Sequence, residues 1–176
     1  MALQVKRTGF GQVEPNHLSA QTNGQIYAQL PASTAINILE NGQFLKYDYA
    51  NGECNLSGEG EWMLVMNEIK LYDQRKQGLK DYAMMSTNFM EGEIVPRLLK
   101  TSVGDIYTTN TFGANTSDSS TVAGLNLSVG NKLKVNPATG YLTTASSSDT
   151  GVMLWQVVKE YTMPDGQPGV KIQRIA

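Results

Sequence analysis

The sequence predicts an all-β fold, in the form of a small β-barrel or sandwich. Charged residues make up only 17% of the 176 residues, below the roughly 25% that is typical of soluble domains. Turn residues recur between short apolar segments, as expected for strands joined by tight connections. No segment has the long 3.6-residue periodicity that predicts an extended amphipathic helix. Together these observations favour strands over helices along most of the chain.

The C-terminal segment, Thr150 to Ala176, predicts two strands joined by a turn. Residues 151–158 are apolar and β-branched, as in a strand buried on much of both faces. Residues 163–168 concentrate proline and glycine, which favour turns. Residues 170–173 alternate apolar and polar side chains, as a half-buried strand does. Because the connection is longer than the favoured two-residue hairpin, we expect this loop to project from the body.

Residues 1 to about 24 predict an extended N-terminal arm. Glycine, proline and asparagine interrupt any periodicity there, and Lys6 and Arg7 lie near its tip. An arm of this kind is either disordered by itself or ordered against a neighbouring subunit. The β-rich domain then spans residues 25–176, and the composition allows an internal boundary near residues 95–102.

Several further strands are predicted between the arm and the C-terminal hairpin. Residues 61–72 form the longest apolar stretch, where alternation of Trp62, Leu64 and Met66 favours a strand over a helix, with a bulge at Asn67–Glu68. The other segments with strand character are residues 25–31, 43–47, 82–85 and 94–99.

Turn signals recur along the chain. Residues 101–108 and 127–135 each place Ser-Val-Gly before an Asp or Asn and then a β-rich stretch. Glycine at this position permits a turn or a bulge where the chain enters the sheet. Two Asn-Gly pairs bracket residues 43–47 and predict a hairpin there. Residues 109–124, rich in Asn, Thr, Ser and Gly, predict an exposed loop.

The residue types argue against catalysis and against a bound metal or cofactor. Cys54 is the single cysteine, so no cysteine pair can form an internal disulfide or hold zinc. His17 is the single histidine, and the predicted arm would not hold it rigidly enough for a nucleophilic triad. Glu91 and Glu93 flank Gly92 in a predicted loop, which favours solvated charges over a glycosidase pair. We therefore expect no enzymatic activity.

Charge and hydropathy limit the classes of partner that we expect the protein to bind. The net charge of −2 provides no field that attracts nucleic acid or an anionic membrane. The N-terminus shows no secretion signal, and no apolar run is long enough to cross a bilayer. We therefore expect synthesis in a cytoplasm and a protein partner rather than nucleic acid or lipid.

Four segments in a characteristic order carry a resemblance to a known family. They are residues 38–44, 67–73, 103–110 and 156–168, and together they span most of residues 38–173. With these segments the chain resembles the auxiliary head proteins of tailed bacteriophages, the class that decorates or cements the capsid. The resemblance implies a β-barrel or β-tulip-like body that binds the outside of the head across junctions between major capsid protein subunits. It also implies a homo-oligomer, for which a trimer is plausible, and no enzymatic activity.

Our hypothesis for this binding assigns part of the capsid contact to the arm. The candidate contact residues are Lys6, Arg7, Phe10, Val13 and Leu18. A cement protein acts by mass action, since it binds the expanded shell better than the precursor or the free subunits.

Two other readings of the sequence stay open. A phage tail or baseplate component, or the base of a head fibre, would have the same β-rich and polar composition. A carbohydrate-binding module would use tyrosines exposed on a barrel face.

Overall fold

The computed structural model confirms the all-β prediction, with a barrel-like body built on a curled sheet. It describes residues 2–5, 11–20, 30–36, 38–66, 85–86, 95–112 and 125–176. Within these residues the strands, in chain order, are β1 (Leu3–Val5), β2 (Val13–His17), β3 (Ile38–Leu39), β4 (Phe44–Asp48), β5 (Glu53–Asn55), β6 (Glu59–Val65), β7 (Met85–Ser86), β8 (Leu98–Leu99), β9 (Ile106–Thr109), β10 (Leu125–Leu127), β11 (Lys132–Val135), β12 (Leu142–Thr144), β13 (Leu154–Thr162) and β14 (Pro168–Arg174).

The largest sheet has six antiparallel strands in the order β12-β11-β13-β14-β9-β2. Its centre is the β13–β14 hairpin, which the sequence predicted, with a register shift between Val157 and Lys159 that marks a β-bulge. Beyond the end of β9, Phe112 forms a parallel bridge with Leu142 of β12, the strand at the other edge. The sheet therefore curls until the chain that leaves β9 meets β12.

The interior of this curled sheet is an aromatic core. Trp155 and Tyr107 are fully buried and meet edge to face, with ring centroids 5.0 Å apart at an interplanar angle of 82°. Phe44 of β4 completes the group, with its ring centroid 6.0 Å from that of Trp155. Such pairs add about 0.5–1.5 kcal/mol beyond the burial of their area. Trp155 lies within this core, whereas Trp62 is partly buried and packs against it.

A second sheet of four strands, in the order β5-β4-β6-β8, lies against the first. Because side chains alternate along a strand, Phe44 and Leu64 belong to the barrel core, whereas Leu45 and Val65 belong to a second apolar cluster. Strand β6 confirms the preference for a strand over a helix in residues 61–65 of the apolar stretch, and residues 67–72 of that stretch lie outside the described residues. The predicted bulge at Asn67–Glu68 lies outside the described residues, as do residues 25–29 of an earlier predicted strand.

The described part of the predicted N-terminal arm is built into the body. Strand β1 pairs with β10, and β2 forms the edge of the six-stranded sheet beside β9. Leu18 and Ala20 are buried in the barrel core. Strands on both sides of the predicted boundary near residue 24 thus share one sheet.

Four tight turns share a reciprocal hydrogen-bond pattern. In each turn the fourth backbone N–H donates to the first carbonyl, and the first backbone N–H donates to the side chain of the fourth residue. The turns are 40–43, 102–105, 128–131 and 146–149. The third residue of the first three is glycine with positive φ, between 91° and 99°, as a type II turn requires. The shared Ser-Val-Gly pattern is therefore a turn that leads the chain into a strand.

The tip of the C-terminal hairpin loop is exposed at Pro164, Asp165 and Gly166, and contacts with the body anchor the loop. Met163 is buried and donates its backbone N–H to the carbonyl of Gln167 at 2.8 Å. The Asp165 carboxylate accepts a hydrogen bond from the side-chain amide of Gln12 at 2.6 Å. The Met163 side chain packs against Gly169, and this contact anchors the loop to the body.

Gly140→Ala should destabilise the fold far more than Gly151→Ala. Both glycines have similar positive φ, 73° and 71°, and alanine in this left-handed region costs roughly 1–2 kcal/mol at either position. A methyl group at residue 140 would also collide with the Phe44 carbonyl oxygen, whereas residue 151 has nothing within 4 Å. Urea denaturation of the two variants measures the difference, and equal losses of unfolding free energy would contradict this account of the approach between the sheets.

Candidate functional site: the N-terminal segment, the Glu40 junction and the exposed turn valines

A buried carboxylate joins three distant parts of the chain. Glu40 is fully buried in the turn before β4. One of its oxygens accepts the backbone N–H of Gly11 at 2.8 Å, and the other accepts the hydroxyl of Tyr141. A carboxylate without such donors would be very costly to bury. We call the contact set of these three residues the Glu40 junction.

Further buried polar groups extend the Glu40 junction across both sheets. The Gln43 side chain donates to the Thr139 carbonyl at 2.8 Å, and the Thr111 hydroxyl donates to the Asn41 carbonyl at 2.9 Å. The Phe44 backbone N–H donates to the carbonyl of Gly140 at 2.7 Å. The turn before β4 is thereby tied to the chain that leaves β9 and to the connection between β11 and β12.

Polar contacts fix both ends of the N-terminal segment, residues 11–20, to the body. The Gln12 backbone N–H donates to the Asn110 side chain at 2.9 Å, and its carbonyl accepts the Thr109 hydroxyl at 2.6 Å. At the other end of the segment, the buried carboxylate of Asp105 accepts the backbone N–H and the hydroxyl of Ser19. Side-chain hydrogen bonds therefore hold both ends of the segment.

The predicted contact residues fall into two groups. Lys6, Arg7 and Phe10 lie outside the described residues. Val13 is half-buried on β2 and packs against the barrel core, and Leu18 is only 2% exposed within that core. The structure therefore brings Val13 and Leu18 together as packing residues of this chain.

The exposed side of the N-terminal segment is formed by Pro15, Asn16 and His17 of β2. Proline has no backbone N–H, which is typical of an edge strand and hinders unwanted pairing. Deleting residues 1–24 would remove β1, β2 and the three buried core side chains of Val5, Leu18 and Ala20, so such a deletion would disturb folding together with any binding.

Sequence reasoning missed the apolar side chains that the turns expose. Val103 and Val129 are 66% and 60% exposed, and each is the second residue of a reciprocal turn. Val152, which follows Gly151, is 42% exposed. The turns require glycine at their third position, whereas the second position accepts most residues. The repeated Ser-Val-Gly pattern is the signal in the sequence, because it places a valine at the second position of each of these two turns.

A shallow open groove of about 450 Å³ lies beside the outer end of the β13–β14 hairpin. Tyr161 is its aromatic side chain, and a hydrogen bond to Glu14 raises the pKa of the Tyr161 hydroxyl. The remaining residues of the groove are Leu3, Lys159, Glu160, Thr162, Gly166 and Pro168.

The ionisable groups of the described residues show no arrangement that suggests catalysis. Burial raises the pKa of the Cys54 thiol to about 12, so the thiolate that a nucleophile requires is scarcely populated. Within the same residues, no cluster of three or more His, Cys, Asp or Glu side chains is arranged to hold a metal ion.

An ion pair joins Lys134 and Asp149. The Lys134 ammonium, 2.6 Å from Asp149, and the hydrogen bonds from Ser146 lower the pKa of the Asp149 carboxyl to about 2.

Comparison with protein-family models, curated proteins and solved structures found no match to this chain. In the part of the chain that the structure describes, no helix has the length and apolar character needed to span a membrane.

Glu40→Gln should lower the free energy of unfolding by about 2 kcal/mol, because hydrogen bonds to a charged group contribute roughly 1.5–3 kcal/mol. The carboxylate accepts hydrogen bonds from the Gly11 backbone N–H and the Tyr141 hydroxyl. The glutamine amide would place its N–H₂ group against one of these two donors. The measurement is chemical denaturation of this variant, of Tyr141→Phe and of the double variant, since a cycle isolates the coupling between the two side chains.

The matched control is Glu160→Gln, a neutral replacement at an exposed strand position. It should change the unfolding free energy by no more than about 0.5 kcal/mol. Equal effects at residues 40 and 160 would contradict the structural role of the Glu40 junction.

The ion pair of Asp149 predicts a stability contribution that acid removes. Because the pKa of Asp149 is lowered from 3.8 to about 2 in the folded protein, its contribution is present above pH 3.8 and is lost as the pH falls toward 2. The stability difference between the wild type and Asp149→Asn should therefore shrink over this interval. Denaturation at a series of pH values measures it, and a constant difference would contradict the assignment.

Proposed function

We propose that this chain is a structural virion protein of a tailed bacteriophage that decorates and stabilises the outer surface of the capsid. Its partner in this proposal is the major capsid protein, bound across neighbouring subunits, and it acts without catalysis. The choice of the major capsid protein as partner comes from the resemblance of four segments to head decoration proteins. The exposed valines on tight turns are the structural observation that carries the proposal.

The exposed valines support binding to a surface rather than to a small molecule. Val103 and Val129 stand on turns whose backbone is fixed by two hydrogen bonds each. An apolar side chain on a rigid turn loses little conformational freedom when a partner covers it, so less of the binding free energy is lost to ordering. Contiguous apolar patches on a stable body are typical of protein contact sites, so the proposal requires these valines to form part of such a patch.

The rigid body suits a protein that stabilises one state of a shell. Binding to the expanded shell, and not to the precursor, would shift the equilibrium toward the expanded form by mass action. Each contact can be weak, because many copies act on the same closed lattice. The fixed sheets of the body would keep the spacing between its contact points constant.

Carbohydrate binding is a second candidate, favoured by the groove beside the β13–β14 hairpin. Tyr161 offers an aromatic surface, and the Lys159 and Glu160 side chains offer a donor and an acceptor for hydroxyl groups. Binding of saccharides on a glycan array that Tyr161→Ala abolishes would support this candidate over capsid decoration.

The proposal is tested by locating the chain in virions and by measuring its binding to heads. Electron microscopy of virions labelled for this chain should show label over the outer surface of the head. Label confined to the tail or baseplate would contradict the proposal and favour the tail reading. Purified protein should sediment with expanded heads and much less with precursor heads.

Val129→Asp should reduce head binding at least about tenfold, because a buried, unpaired carboxylate costs more than the 1.4 kcal/mol that corresponds to this factor. The matched control is Ser147→Asp, which places the same charge at the second position of the reciprocal turn 146–149. The control should bind as the wild type does. Equal binding by both variants would show that the turn valine does not contact the head.

A further inference from the structure

Two of the three Asn-Gly pairs in the sequence lie within the described residues, and the fold gives them opposite surroundings. Asn41–Gly42 lies in the turn before β4, where both residues are buried. Asn51–Gly52 lies at the tip of the β4–β5 hairpin, where both residues are exposed. Because each asparagine is followed by glycine, the fold is the main source of any difference in their reactivity.

An asparagine that precedes glycine can lose its side-chain amide without an enzyme. The backbone nitrogen of the glycine gives its proton to a base in the solvent and forms a bond to the asparagine Cγ, while the Cγ–Nδ2 bond breaks and ammonia leaves. Water then opens the five-membered ring at either carbonyl, which produces aspartate or isoaspartate. The reaction consumes one water, releases one ammonia and needs no oxidant or reductant. Glycine favours ring closure because it has no Cβ to hinder the nitrogen or restrict the backbone.

The tip of the β4–β5 hairpin leaves room for this ring closure. A methyl group added at Gly52 would have nothing within 4 Å. The Asn51 side-chain amide donates to the Asp48 carboxylate at 2.9 Å, and the Asn51 backbone N–H donates to the same carboxylate at 3.1 Å. Both hydrogen bonds are exposed, so water can replace either partner at little cost in free energy. The Asn51 side chain can therefore turn toward the Gly52 nitrogen while the core stays packed.

The fold blocks the same reaction at Asn41. The Gly42 backbone N–H donates to the Val65 carbonyl at 3.0 Å, and a Cβ at residue 42 would lie only 2.6 Å from the Cβ of Thr111. The Asn41 carbonyl accepts the Thr111 hydroxyl at 2.9 Å. Ring closure at Asn41 therefore requires the turn before β4 to separate from β6 and from the chain that leaves β9. Such an opening removes core contacts, so it is rare in the folded protein.

We propose that Asn51 is a site of spontaneous deamidation in the folded protein, whereas the fold protects Asn41. The product places a carboxylate where the Asn51 amide now donates to Asp48, so repulsion between like charges replaces a hydrogen bond. Isoaspartate also adds a backbone carbon to the connection between Asp48 and Glu53, which pair at the end of the β4–β5 ladder. Modification thus makes the hairpin tip more negative and loosens its pairing. The reaction needs no partner, so it proceeds whether or not the protein decorates a head.

Mass spectrometry of protein incubated at mildly alkaline pH measures the reaction at each asparagine. In the folded protein, conversion at Asn51 should be at least about tenfold faster than at Asn41, because opening the buried turn costs more than the ~1.4 kcal/mol that corresponds to this factor. In concentrated urea the two rates should become similar, since the unfolded chain protects neither pair. Similar rates in the folded protein, or no conversion at Asn51 under conditions in which the unfolded chain reacts, would overturn the inference.

A pair of glycine variants identifies the attacking nitrogen. Gly52→Ala should slow conversion at Asn51, because a Cβ hinders the nitrogen that closes the ring. The matched control is Gly151→Ala, since the two glycines have φ values of 67° and 71° and neither has an atom within 4 Å of an added Cβ. The control should convert Asn51 at the wild-type rate. Equal rates in the two variants would overturn the assignment of the Gly52 nitrogen, and the comparison of Asn51 with Asn41 in the wild type needs neither variant.

Discussion

The buried carboxylate of Glu40 constrains the arrangement of the rest of the structure. A carboxylate at this depth is tolerated only when donors surround it, and here those donors are the Gly11 backbone and the Tyr141 hydroxyl. The three groups come from segments that are 29 and 101 residues apart along the chain. Satisfying one side chain therefore fixes the start of the N-terminal segment, the entry to β4 and the connection between β11 and β12 at the same time. The barrel core can then include Phe44, because the backbone beside it is already held against Gly140.

Local chemistry explains how the chain enters its strands. Reciprocal turns precede β4, β9 and β11, and each is closed by one backbone hydrogen bond and one side-chain hydrogen bond. These contacts form between residues three positions apart, so they need no partner from elsewhere in the fold. Their glycines accept the positive φ that other residues resist. The turns thereby limit the register in which the following strands can pair, before the aromatic core and the Glu40 junction select the final arrangement.

Features that depend on neighbours in sequence could be predicted, whereas features that depend on distant residues could not. The β13–β14 hairpin, strand β6 and the Ser-Val-Gly turns follow from alternation and turn chemistry, both of which act within a few residues. The place of Leu18 in the core could not be read from its neighbours, because glycine and proline on both sides of it suggested an arm. Glu40 resembles any polar turn residue in sequence, since its donors are distant. The burial of Met163 depends likewise on space beside Gly169.

The exposed valines are informative because folding does not depend on them. The core, the Glu40 junction and the backbone of the turns stabilise the body without help from Val103, Val129 or Val152. An exposed valine contributes little to folding, and yet it carries an apolar surface that water solvates poorly. The turns fix the backbone of Val103 and Val129 in the folded protein. A partner that covers these valines therefore causes little further loss of conformational entropy. Weak contacts of this kind become effective when many are made at once, which is the situation of a protein repeated over a shell and not of one that binds a single small ligand.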